Sequence, residues 1–111
     1  MERLVKGDVV VLLFPFSDLS SSRKRPAVVV ATLTGDDLIL AQITSSTARS
    51  DKYAISLETS DFKLGKLPVS SLIRPNKLFT ADKSLISSKW GVLQEHKMKE
   101  VQEALVQIFT A

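Results

Sequence analysis

The chain has 111 residues, of which 44% are hydrophobic and 24% charged. That is enough for one core, and one domain over residues 1–111 is expected. There is no cysteine and only one histidine, which excludes a disulfide framework, a thiolate metal site and a histidine metal cluster within one chain. The net charge of +3 permits nucleic-acid binding without demanding it, because clustering of charge counts for more than its total.

The first apolar run, residues 9–16, follows Arg3 and Lys6 and so has a faint look of a secretory leader. Asp8 interrupts its start, Pro15 ends it, and no small-residue cleavage site follows. A buried strand is the expected structure and the cytoplasm the expected location. No apolar run approaches the roughly 20 residues of a membrane span.

Gly7-Asp8 is a turn signal before that strand. Residues 9–14 are continuously apolar, β-branched and aromatic, as in a strand buried on both faces of a small barrel. Pro15 should end the pairing. Residues 17–24 (SDLSSSRK) form a polar, serine-rich loop with Ser22, Arg23, Lys24 and Arg25 at its exit. Adjacent cations repel one another, and an anion would relieve this; the plain alternative is solvated surface. Pro26 suits a strand start, residues 27–33 a second strand, and Thr34-Gly35-Asp36-Asp37 a turn. Residues 38–43 complete the hairpin as a third strand. Thr44, Ser45, Ser46 and Thr47 follow at once. Their hydroxyls can satisfy a turn or hold an anion.

Residues 53–57 read as a fourth strand, 64–67 as a short one, and 68–76 as another, limited in length by Pro75. Residues 79–86 suit a strand end followed by a helical turn at 81–85. Residues 94–109 are an amphipathic helix: Met98, Val101, Leu105, Ile108 and Phe109 recur at three- and four-residue steps. That stripe should pack on the open side of the sheet. Gln94 is a poor N-cap, and His96 belongs on the polar, exposed side. Strands first and a helix last predict a mainly β, α+β chain: a small, mostly antiparallel barrel with the helix packed on it.

At this point the sequence resembles the MazF/PemK-like toxins of bacterial toxin–antitoxin pairs. The matching pieces are GDVVVLLFPFSDL, KRPAVVV, AQITSS, LIRPNKLFTADKSLI and the final amphipathic helix, in the family's order. The resemblance implies an SH3-like barrel, a homodimer, and an endoribonuclease that needs no metal or other cofactor and cuts single-stranded RNA at short sequences. It implies that Arg25 and Thr44 are the catalytic pair. It implies a supporting role for Arg74, a second arginine used in part of the family. The aspartate that accompanies it in that branch is replaced here by Asn76, which cannot act as a base. It further implies an acidic antitoxin whose tail would be drawn to Arg23, Lys24, Arg25 and Lys52.

RNA carries its own nucleophile, the 2′-OH. A site can work by holding that oxygen in line with phosphorus and stabilising the developing charge. An arginine fork binds two phosphate oxygens, and a threonine hydroxyl adds a third bond. The products would be a 2′,3′-cyclic phosphate and a 5′-OH. Arginine stays protonated, so Asp18 is a candidate proton acceptor. Ser22, Arg23, Lys24, Ser45, Ser46, Lys52, Arg74 and Asn76 are the candidate RNA-binding residues around the pair. Phe16, Tyr53, Phe62 and Trp90 are candidate base-stacking residues, although aromatics of a small barrel are more often core. The dimer surface would be either the run at residues 9–16 or the helix. Two non-nucleolytic alternatives remain on the same barrel: a gyrase poison acting through the last helix, and an inactive member that only binds antitoxin or RNA. The helix end QIFTA lacks the tryptophan associated with the first, while Asn76 keeps the second open.

Overall fold

In the computed structural model residues 3–13, 24–45 and 51–111 are described. Seven strands form one sheet: β1 (Asp8–Leu13), β2 (Lys24–Thr32), β3 (Asp37–Thr44), β4 (Ile55–Leu57), β5 (Phe62–Gly65), β6 (Ser71–Asp82) and β7 (Ile86–Leu93). The order across the sheet is β4-β6-β3-β2-β1-β7-β5, and every pairing is antiparallel. The sheet curls into a half-barrel, and α1 (Glu95–Thr110) packs on it. No helix among the described residues is long and apolar enough to cross a membrane.

The continuous apolar run of β1 has the predicted cause. Val9 joins a core cluster with Val28, Ile43, Ile73, Met98 and Val101, on the helix side of the sheet. Val10 and Leu12 join the other cluster, with Ala27, Val29 and Leu40. Alternate residues serve opposite faces, so both faces of β1 must be apolar. The β2–β3 hairpin closes through Gly35 at φ +90°, and Leu33 N–H donates to the Asp37 carbonyl at 3.1 Å.

Several boundaries differ from the expectation. Pro26 is the third residue of β2, not the first. It faces Val11 of β1, while the β3 ladder begins one residue later, at Ala27, where an N–H is present again. Tyr53 lies in a turn ahead of β4, and the short strand begins at Phe62 instead of residue 64. Pro75 does not stop its strand. β6 runs for 12 residues, and Ala41 faces Leu78 while its neighbour Gln42 faces Arg74. Residues 75–77 are therefore looped out of the β3 ladder, so the missing proline N–H costs no ladder bond. The expected helical turn is a 3-10 turn at Lys83–Leu85.

α1 follows its predicted span, with no side-chain cap from Gln94. Met98 and Val101 are buried; Leu105 packs partly against the core, and Ile108 is half-buried. Phe109, expected on the packed stripe, is 71% exposed. His96 is exposed as expected.

Lys97, a charged residue outside the apolar stripe of α1, is only 6% exposed. Its Nζ donates to the Ser56 carbonyl at 2.9 Å and to Glu100 Oε1 at 2.8 Å, with Asp61 Oδ2 at 3.6 Å. It thus ties α1 to β4 and to the 3-10 turn at Thr59–Asp61. Lys97→Met keeps the apolar stem and removes the ammonium, leaving the Ser56 carbonyl and the carboxylates without it. The expected cost is about 1–3 kcal/mol, read as a lower midpoint in thermal melts; an unchanged midpoint would contradict this role.

Candidate functional site

Arg25 lies near the start of β2 and Thr44 ends β3. The two strands run antiparallel with Ala27 opposite Gln42 and Val28 opposite Ala41. Continued two residues toward the strand ends, that register sets Arg25 opposite Thr44. On the far side of β3, Thr44 faces Leu72 and Gln42 faces Arg74 of β6. Cross-strand partners share a face of the sheet, as do alternate residues of one strand. Arg25, Thr44 and Arg74 therefore belong to one face and one end of three adjacent strands. Ala27 on that same face belongs to the cluster away from the helix.

Lys24, Arg25 and Ser45 are exposed, and Thr44 and Arg74 are half-buried. Lys24 faces Leu13 and Arg25 faces Leu12 across the β1 ladder. Among the described residues Arg25 makes no ion pair. Asn76 is exposed within the looped-out segment of β6. Lys52 is exposed in the turn before β4, with its Nζ 5.4 Å from the Tyr53 ring centroid, a cation–π distance. Ser22, Arg23, Ser46, Asp18 and Phe16 lie outside the described residues. Of the candidate stacking rings, Phe62 is core, whereas Tyr53 and Trp90 are 44% and 41% exposed. Trp90 sits on β7, beyond β1 from the Arg25 strand.

One residue of this site was not singled out in the sequence. Asp51 stands in the connection between β3 and β4, its side chain 9% exposed. Its Oδ2 accepts from Arg74 Nε at 3.0 Å, and its Oδ1 accepts from the Tyr53 backbone N–H at 3.0 Å. The Tyr53 N–H, with Arg74 and Asn76, outweighs burial and holds the Asp51 carboxyl below the usual carboxylate range. The local signal is an aspartate two residues ahead of the N–H it caps, an Asx turn in the segment DKY.

One cleft among the described residues lies elsewhere. It measures about 670 Å³ and opens at the opposite sheet end, lined by Arg3, Asp36, Asp37, Asp82 and Lys83. A groove of about 400 Å³ runs between the Lys52–Tyr53 turn and α1, with Ala104 and Ile108 on its helix side. Of the predicted site residues Lys52 and Tyr53 border the groove. Among the described residues no three histidine or carboxylate side chains gather to hold a metal ion.

The chain was compared with known proteins. No curated protein matches it. Among solved structures it is similar to a mycobacterial endoribonuclease in complex with its cognate antitoxin: TM-score 0.75, 14% identity, 97% of this chain and 96% of that one. It is similar to MazF from Deinococcus radiodurans, with TM-score 0.74, 20% identity and 97% of each chain covered. It is also similar to the Mycobacterium tuberculosis toxin MazF-mt6, with TM-score 0.71, 14% identity, and 93% and 96% covered. At these identities the likeness is one of fold. The family model of the PemK-like, MazF-like toxins of type II toxin–antitoxin systems matches residues 5–109, nearly the whole chain, and the protein belongs to that family.

Proposed function

We propose that this toxin is an endoribonuclease that cuts single-stranded RNA at short sequences on the Arg25–Thr44–Arg74 face. The observation that carries the reading is the register that brings those three residues to one end and one face of β2, β3 and β6. The family match and the endoribonuclease folds among the similar structures support it.

The chemistry follows from the groups. Arg25, exposed and unpaired among the described residues, offers a planar fork to two non-bridging oxygens of the scissile phosphate. Thr44 donates its hydroxyl to one of them. Both contacts strengthen as the 2′-oxygen attacks and the phosphorane gains charge, which lowers the barrier and not merely the dissociation constant. Arg74 adds positive charge two residues along the same face. The 2′-oxygen bonds to phosphorus, the P–O5′ bond breaks, and 2′,3′-cyclic phosphate and 5′-OH ends result.

Lys24, Lys52, Ser45 and Asn76 border this centre and would hold the flanking phosphates and bases, as would Ser22, Arg23 and Ser46. An acidic antitoxin segment lying on the same cations would block RNA by occupancy. In the proposed homodimer the helix is the better surface. Val9, Val10, Val11 and Leu12 are buried within the chain, whereas Val106 and Phe109 are 55% and 71% exposed.

The deciding experiment incubates the antitoxin-free protein with a long unstructured RNA in excess EDTA and maps the fragment ends. Discrete cuts bearing 2′,3′-cyclic phosphates are expected. A folded protein that leaves this RNA intact would overturn the nuclease reading and return attention to the gyrase and inactive-binder alternatives.

A further inference from the structure

The contact between Asp51 and Arg74 has a geometry that matters for phosphate binding. Both side chains are largely buried, at 9% and 13% exposure. Each oxygen of the carboxylate has its own donor: the Tyr53 backbone N–H on one, Arg74 Nε on the other. Because the first bond anchors Asp51 to its own turn, the second fixes the plane of the guanidinium. It engages Nε and does not use the Nη edge, whose two parallel N–H bonds are the pair a phosphate takes. Arg74 also precedes the looped-out residues 75–77 of β6. Backbone at such an irregularity holds a long side chain less firmly than a regular ladder does. An outside anchor is what such an arginine needs, since its side-chain entropy would otherwise be lost on binding.

We propose that Asp51 is a positioning residue that locks the Arg74 guanidinium to bind a backbone phosphate of single-stranded RNA beside Arg25 and Thr44. This rests on the reading of that face as the RNA site. Asp51 itself takes no proton in the reaction; a carboxylate held below its usual range by Tyr53, Arg74 and Asn76 is a weak base.

The discriminating variant is Asp51→Asn. Asparagine sustains an Asx turn as well as aspartate does. With its single oxygen on the Tyr53 N–H, it presents an NH2 group to Arg74 Nε, so the turn stays and the anchor goes. The probe is a fluorescent, uncleavable 2′-O-methyl RNA strand, with binding read by anisotropy, alongside cleavage of ordinary RNA. Asp51→Asn should weaken binding about tenfold at a temperature where thermal melts show it still folded. Arg74→Ala should weaken it at least as much, and Asp51→Asn added to Arg74→Ala should change nothing further.

Equal losses in both backgrounds would overturn the proposal, as would tight binding by Asp51→Asn. Tighter binding by Asp51→Asn would mean that the carboxylate competes with phosphate. Independently of any variant, the Arg74 Nε–H should exchange with solvent more slowly than that of exposed Arg25 in NMR spectra of the unliganded protein; equal rates would also overturn it. Wild-type protein that binds the strand and never cuts sinks only the nuclease reading. Protein that cuts while Asp51→Asn binds normally sinks only the role of Asp51, and protein that does neither sinks both.

Discussion

Arg25→Ala is expected to cut RNA at least about a hundredfold more slowly than wild type while melting at the same temperature. The two halves of that expectation come from different observations. Arg25 is exposed near the start of β2 and makes no ion pair among the described residues, so its removal breaks no ion pair among them. Surface substitutions of this kind stay within about 0.5 kcal/mol. Its proposed role is to meet charge that appears only as the phosphorane forms, and no other cation described on that face is as close to Thr44 in register. Arg25→Lys should recover part of the rate, since an ammonium supplies charge but not the two-pronged fork. Thr44→Val keeps the shape of a half-buried side chain and deletes the hydroxyl; a loss of tenfold or more is expected from one missing donor. Single-turnover cleavage beside thermal melts reads all three variants. Wild-type rates from Arg25→Ala would move the chemistry off this face altogether.

The elements with local signatures were legible in the sequence. A glycine turn between two apolar runs gave the β2–β3 hairpin, and three- and four-residue spacing gave α1 nearly to the residue. The resemblance pairs Arg25 with Thr44, and the register of that same hairpin, continued to the strand ends, sets the two opposite one another. The errors arose where the deciding partner is far away in the chain. Pro75 looks like a strand stop until the β3 ladder is seen to skip residues 75–77. Lys97 looks like a surface residue until the Ser56 carbonyl, 41 positions earlier, is seen above it. Asp51 looks like one more polar residue of a loop, because Arg74 lies 23 positions downstream. Phe109 fits the helical period yet is 71% exposed, which periodicity cannot report.

Gly91→Ala should be strongly destabilising, although it adds a single methyl group. Gly65 of β5 and Gly91 of β7 are ladder partners. A Cβ on Gly91 would collide with the Leu64 carbonyl oxygen and stand 2.9 Å from Phe62 Cδ2. A Cβ on Gly65 would collide with the Trp90 carbonyl oxygen and stand 2.8 Å from the Gly91 Cα, at a φ of +76°. Neither obstacle is the end of a flexible side chain; backbone would have to separate. The strand that would move also carries buried Phe62, whose carbonyl accepts from the Gln94 amide at the start of α1. The expected cost is about 2–3 kcal/mol, or roughly 10 °C or more in the melting midpoint. Gly35→Ala is the control. Its φ is +90° but nothing lies within 4 Å of the added Cβ, so it should cost only the conformational strain of about 1 kcal/mol. A Gly91→Ala protein as stable as the Gly35→Ala protein would mean that β5 yields at little cost. Because β5 and β7 lie on the other side of β1 from β2, β3 and β6, cleavage per folded molecule should survive both changes, which separates the scaffold from the site.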